Sequence, residues 1–99
     1  MATIGEDYVS FETAKLLKEK GFDQSCATYY LKDKQVYAAP TQAMAMKWLR
    51  EVHDIKIMIC PCADGTYGYK TLNGFWHVNF DSYEDAVEAA IKYCLENLI

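Results

Sequence analysis

Apolar residues recur along this chain with two different periods, and each change of period marks an element. Between Ser10 and Gly21, Phe11, Ala14 and Leu17 fall three apart with Leu16 beside them. That spacing is one face of a helix. Ser10 is placed to cap the helix, Glu12 sits favourably in its first turn, and Gly21 is a good residue to end it. The stretch "ATYYLKDKQVYAA" then gives two short β-prone runs around a polar Lys-Asp-Lys, which predicts a hairpin. After Pro40, with Thr41 as cap, Ala45, Trp48, Leu49 and Val52 trace the buried stripe of a second helix. Lys47, Arg50, Glu51 and Asp54 lie off that stripe. Met44 and Met46 cannot both join it, so at least one is partly exposed. From Ile55 to Phe80 three antiparallel strands are predicted, divided at Asp64-Gly65 and Asn73-Gly74. Both dipeptides suit the two-residue type I′ turn. In the last helix Ser82 is the cap, with Asp85 placed for a capping box. Val87, Ala90, Ile91, Cys94, Leu95 and Leu98 form its apolar face. Glu84, Glu88, Lys92 and Glu96 form the wet one, with Glu88 and Lys92 in the favourable i,i+4 order. The order α-β-β-α-β-β-β-α is that of an α+β fold, and 99 residues make one domain, 1–99.

Two-residue turns would fix the register of the three strands, and hence their faces. Cys62 would lie opposite Tyr67, Cys60 opposite Tyr69 and Met58 opposite Thr71. In the next pair Tyr69 would face Val78 and Tyr67 would face Phe80. One face then carries Met58, Cys60, Cys62, Tyr67, Tyr69, Trp76, Val78 and Phe80, aromatic enough to be buried under the second and third helices. The other carries Ile57, Ile59, Leu72 and Phe75 beside Lys70 and His77. Left in water, those four apolar residues would form a patch that a monomer rarely tolerates without a use. Either the first helix with its hairpin covers it, or a partner does, a homodimer being the commonest assembly.

Charge narrows the function. The chain carries 10 Lys and Arg against 14 Asp and Glu, a net −4, with no basic stripe of the kind nucleic-acid binders show. No apolar run is long enough to span a bilayer. "MATIGEDYVS" has neither a basic n-region nor an apolar core, so no signal peptide is read and a cytoplasmic protein with four reduced thiols is expected.

The stretch "ICPCAD" advertises chemistry. Cys60 and Cys62 are two apart on a strand, a spacing at or beyond the reach of a disulfide, and not the redox CxxC pattern. A shared metal would need further ligands, with Cys94 a candidate third. The competing reading, buried reduced thiols packed beside tyrosine rings, is preferred. Pro61 between them has no N–H, which puts that end of the strand at an edge or a bulge. His53, at the end of the second helix, reads as a cap. His77 has no carboxylate or nucleophile near it in sequence, so no catalytic set assembles and no cofactor is called for. Asp81, Glu84, Asp85 and Glu88 suit a helix start better than a cation site.

Residues 41–99 share the α-β-β-β-α order of the double-stranded-RNA-binding domain. The place where that family grips phosphate with lysines here reads "DSYEDAVEAA", which would repel it. Two other stretches, "APTQAMAMKWLREVHDI" and "SYEDAVEAAIKYCLENLI", resemble a group of short proteins encoded by gut bacteria of the Bacteroides group and by their phages or prophages. Together they cover about a third of the chain. That family has no assigned activity, so the resemblance implies a setting, a mobile-element accessory protein in a bacterial cytosol, and no site. The leading expectation is a small adaptor that acts by protein–protein contact, with itself or an unknown partner, and not an enzyme. A nucleic-acid-associated accessory factor and a metal or redox protein using Cys60, Cys62 and Cys94 are the alternatives.

Overall fold

A computed structural model describes residues 7–72 and 74–99. It has three helices and two antiparallel sheets in the order read from the sequence. Helix α1 spans Phe11–Glu19, α2 Gln42–Val52 and α3 Tyr83–Asn97. Strands β1 (Tyr29–Lys32) and β2 (Gln35–Ala38) form a hairpin. Strands β3 (Ile57–Pro61), β4 (Tyr67–Thr71) and β5 (His77–Phe80) form a meander with β4 in the middle.

The punctuation works as its chemistry dictates. The hydroxyls of Ser10, Thr41 and Ser82 accept from the N–H of Thr13, Met44 and Asp85, capping all three helices. Gly21, at φ 91°, turns the chain out of α1. Its N–H bonds the Lys18 carbonyl at 3.2 Å and the Phe22 N–H bonds Leu17 at 2.9 Å, a Schellman exit. Ahead of α1, Val9 donates to the Pro40 carbonyl at 3.1 Å and Asp7 accepts from Gln42 at 2.8 Å. These bonds lash the leading segment to the start of α2, and Val9 is wholly buried there. A single valine leaves no periodic signal, so the pattern missed it.

α3 is the centre of the molecule. Val87, Ala90, Ile91, Cys94 and Leu95 are sealed from solvent along one stripe. Around them pack α1, α2 and one face of the β3–β5 sheet. Leu17 of α1 and Trp48 and Leu49 of α2 join the same core. Val52 and Leu98, expected on these stripes, are exposed instead. Each sits where its helix ends: Val52 is the last residue of α2 and Leu98 follows the last residue of α3. The hairpin lies on α1, not on the larger sheet. Tyr30 and Tyr37 meet the Phe11 ring edge-on at 5.8 and 5.1 Å.

The register of the larger sheet corrects the sequence expectation. Asp64-Gly65 does not form a two-residue turn. The Cys62 N–H bonds the Thr66 carbonyl at 2.7 Å, the Gly65 N–H bonds back to Cys62 at 3.1 Å, and Gly65 takes φ 89°. Three residues, Ala63 to Gly65, make the loop: a type I turn closed by a left-handed glycine. Asp64 braces it, its carboxylate accepting from the Thr66 N–H at 3.0 Å and hydroxyl at 2.6 Å. Those bonds hold its carboxyl below the usual range. The extra residue slides β3 by one, so Tyr69 pairs with Ile59 and not with Cys60. A slip of one moves every side chain to the other face.

A second irregularity corrects β5. Tyr67 pairs with Phe80 as expected, but Tyr69 pairs with His77 and not with Val78. Asn79, at φ 75°, supplies the extra residue of a β-bulge. Ile57, Ile59, Tyr67, Tyr69, His77 and Phe80 therefore share the face toward α3. Met58, Cys60, Trp76 and Val78, expected inside, lie outside. The Asn73 half of the second turn signal is outside the described residues. Pro61 fits as anticipated, because β3 is an edge strand. Alternation from the bonded Cys62–Thr66 pair makes Pro61 a position whose N–H would have pointed off that edge, so no ladder bond is lost.

The hairpin turn gives a direct test. Asp33 and Lys34 both adopt positive φ, 53° and 63°, the type I′ geometry that glycine fills without strain. Lys34→Gly should raise the unfolding free energy by about 1 kcal/mol, measured by urea denaturation. A loss of stability would show that the turn is not the one described.

Candidate functional site

Three groups of residues could carry function: a polar cluster where the helices meet, the cysteines, and an apolar band around the β4–β5 end of the sheet.

The polar cluster centres on Glu88. Its carboxylate accepts from the Ser10 N–H at 3.1 Å, the Ser10 hydroxyl at 2.9 Å and the Thr13 hydroxyl. Its other oxygen accepts from the Gln42 amide at 3.2 Å. The same amide donates to the Glu84 carbonyl at 3.0 Å. A carboxylate at the positive end of α1 is well placed, and three helices meet on one side chain. The expected Glu88–Lys92 pair is thus replaced: Lys92 reaches Glu12 at 2.9 Å. Their mutual hydrogen bond lowers the Glu12 pKa and raises that of Lys92. Every acceptor and donor around Glu88 is engaged in holding helices together, so the cluster is structural.

The cysteines do not converge. Cys94 is completely buried on α3, Cys60 is exposed on the outer face of β3, and Cys62 is half-buried beside the three-residue loop. Among the described residues no three His, Cys, Asp or Glu side chains gather as a metal site requires. The picture of Cys60 and Cys62 packed beside tyrosine rings is corrected by the register. Cys94 is the thiol that approaches tyrosines, and burial pushes its pKa from 9.0 to about 11. Tyr69 is raised to about 12, by burial first and then by Cys94 and Tyr93.

Both histidines are held by aromatic rings. His53 ends α2 through its main-chain N–H, which bonds the Leu49 carbonyl at 3.1 Å; its ring makes no such bond to the helix and meets Trp48 edge-on at 4.6 Å. His77, expected beside Lys70, instead stacks on Tyr69 at 4.7 Å, with Tyr93 5.0 Å away.

The apolar band begins on the outer face of the sheet. In one row Met58 lies opposite Lys70, whose ammonium sits 5.4 Å from the Trp76 ring centre. In the next row Cys60 lies opposite Gly68, and Val78 leans over that glycine: a Cβ there would meet Val78 Cγ1 and the His77 carbonyl at 3.0 Å. Met58, Trp76 and Val78 remain 40%, 48% and 49% exposed. From Trp76 the band turns the corner through Phe75, 89% exposed, and Leu72, 61% exposed. It runs on into a groove of about 580 Å³ between the sheet end and the C-terminal part of α3. Ile55, His77, Tyr93 and Leu98 line the groove, with Lys56, Asp54 and Thr71 at its polar edge. The four residues picked out by the sequence therefore part company: Ile57 and Ile59 pack against the core, while Leu72 and Phe75 stand at the exposed corner. Met58, Trp76 and Val78 were missed because the register was one residue out.

Two experiments test these assignments. Glu88→Ala strips three helices of a shared acceptor and should cost about 2–3 kcal/mol in urea denaturation. Lys92→Ala, which breaks only an exposed pair, should leave the midpoint nearly unchanged. Equal effects would remove Glu88 from its central place. Among the thiols, Cys60 should react with an aromatic disulfide reagent in native buffer at pH 8, and Cys94 only after denaturant is added. Labelling of native Cys94 at that pH would contradict its burial.

No protein family matches the chain, and neither a curated protein nor a solved structure similar to it was found.

Proposed function

We propose that the protein is a small adaptor that works by protein–protein contact through this apolar band. The observation that supports the reading is continuity. Met58, Val78, Trp76, Phe75 and Leu72 follow one another around the end of the sheet without an acidic side chain among them, each well exposed. A fold that seals the stripe of α3 completely leaves five large apolar side chains in water on one side. Such patches mark contact surfaces. Trp76 and Phe75 are also of the aromatic type that supplies binding energy at interface centres. In this reading the protein acts in the cytoplasm and needs no cofactor. The setting implied by its resemblance to the Bacteroides-group and phage proteins, an accessory factor of a mobile element, belongs to the same proposal. Among the described residues no helix is long and apolar enough to cross a membrane.

The band also weighs against the nucleic-acid alternative. Lys70 is the one cation among the outer-face residues named above and already sits on Trp76. Asp81, Glu84 and Asp85 are exposed at the start of α3, where a phosphate backbone would need positive charge.

The test is site-specific photo-crosslinking in cells that express the protein. A benzoylphenylalanine replacing Val78 should give covalent adducts with protein. The same group replacing Lys47, exposed on α2, should give few. No adduct at position 78, or equal yields at both positions, would overturn the reading.

A further inference from the structure

The two edges of the larger sheet are not alike. On β5 the bulge at Asn79, φ 75°, breaks the regular spacing of donors and acceptors, a common way to blunt an edge. β3 runs against β4 without a bulge, and from Ile57 to Ala63 it carries no charged side chain. Met58 and Cys60 are exposed on its outer face, while Ile57 and Ile59 pack on the core. A strand that is apolar on both faces is the pattern of a sheet interior, not of a rim.

The main chain says what fits beside it. Because Cys62 and Thr66 are a bonded pair, Cys60 and Met58 turn their N–H and C=O groups toward β4. Ile57 and Ile59 turn theirs off the edge. Outside the ladder, no main-chain bond among the described residues uses them. Donors and acceptors that alternate two residues apart are matched by another extended strand. The open stretch is bounded at both ends. Pro61 has no N–H to give, and the N–H of Ile55 is taken by the Leu49 carbonyl at 3.0 Å.

Those two bounds favour a second copy of the chain. An antiparallel β3 related by a two-fold axis at Met58 sets Ile57 opposite Ile59 of the copy, and Pro61 opposite Ile55. Each chain's Ile57 and Ile59 N–H then meets a carbonyl of the other. The Pro61 ring fills the place of its N–H and blocks a strand that runs straight on, so a partner has to leave the ladder at the residue facing it. A second copy does: its Ile55 is drawn back to Leu49, just after Asp54 bends the chain at φ 54°. The side chains agree as well. Met58 meets its own counterpart on the outer face, and Lys56 faces Cys60, so no like charges lie directly opposite one another.

We propose that two copies of the chain join edge to edge through β3, antiparallel about Met58, making one continuous sheet of their two three-stranded ones. The axis stands perpendicular to the sheet, so both outer faces lie on the same side and their apolar bands meet at Met58. The pairing goes beyond the adaptor reading and does not depend on it. Val78 lies two strands from the axis and stays open in the pair.

Two measurements on the purified full chain test it. In sedimentation equilibrium, over a dilution series through the micromolar range, the wild type should be a dimer that dissociates on dilution. Met58→Lys puts like charges opposite each other at the axis and should weaken it on the order of tenfold. Leu31→Glu, at an exposed residue of the β1–β2 hairpin, should change nothing. Circular dichroism confirms that each variant is folded. The second measurement reads the register. Residues that meet at the axis form a non-bonded pair with α-carbons about 4.5 Å apart, within disulfide reach. Met58→Cys, in a Cys60→Ser background that removes the neighbouring thiol, should therefore give a covalent dimer on oxidation with copper phenanthroline. Val78→Cys in the same background should not. A wild type that stays monomeric overturns the pairing, leaves the edge to a strand of another protein, and does not touch adducts at position 78. A dimer that survives Met58→Lys, or one that Met58→Cys fails to cross-link, overturns it too.

Discussion

One backbone bond, from the Cys62 N–H to the Thr66 carbonyl at 2.7 Å, sets which half of the β3–β5 sheet is inside. It encloses three residues rather than two, and every β3–β4 pair follows from that count. With it, Ile57 and Ile59 point at α3 and Met58 and Cys60 point away. Gly65 makes the loop possible because its φ of 89° is open to glycine and strained for other residues. The bulge at Asn79 then adjusts β5 so that His77 and Phe80 fall on the same side as Tyr69 and Tyr67. The apolar stripe of α3 is thereby matched to the face that fits it, and the opposite face is left uncovered.

The helices are held by a different principle. Apolar packing has little direction, so α1 and α2 could slide on α3; Glu88 gives them fixed points. It ties the first turn of α1 and, through Gln42, the first turn of α2 to the first half of α3. Gln42 is itself nearly buried, and a buried amide left without partners is costly. Specific polar bonds thus set the arrangement that non-specific burial then stabilises. At the other end of α3 no comparable cluster is found among the described residues, and there the groove opens between Ile55, Tyr93 and Leu98.

Much of this was legible in the sequence, for reasons that separate by range. Caps, helix stripes and the Lys-Asp-Lys hairpin are local: each is decided within a few residues, and Ser10, Gly21, Thr41 and Ser82 all act as their chemistry implies. The faces of the sheet were not legible. Asp-Gly serves both two-residue and three-residue loops, and the choice between them is one bond that the sequence does not spell out. Asn79 looks like any strand residue until its φ is known. The difference propagates: Cys60 and Val78, expected on the buried aromatic face, lie outside, while Ile57 and Ile59, expected on the face that the first helix, its hairpin or a partner would cover, pack against the core under α3. Glu88 was legible as polar, and its partners were not, because Ser10 and Thr13 lie on another helix far away in sequence. Leu72 and Phe75 were picked out on a mistaken register and still proved exposed, because both lie at the corner beyond the paired strands.

The account therefore stands on the register of β3 against β4. The alternation from the bonded Cys62–Thr66 pair places Ile59 and Tyr69 in a non-bonded pair, where the α-carbons approach most closely. A nuclear Overhauser experiment on the isotope-labelled protein reads this directly. A strong contact between the α-protons of Ile59 and Tyr69 is the predicted result. A contact from Cys60 to Tyr69 in its place would turn the strand over, bury the face described as open, and contradict the account.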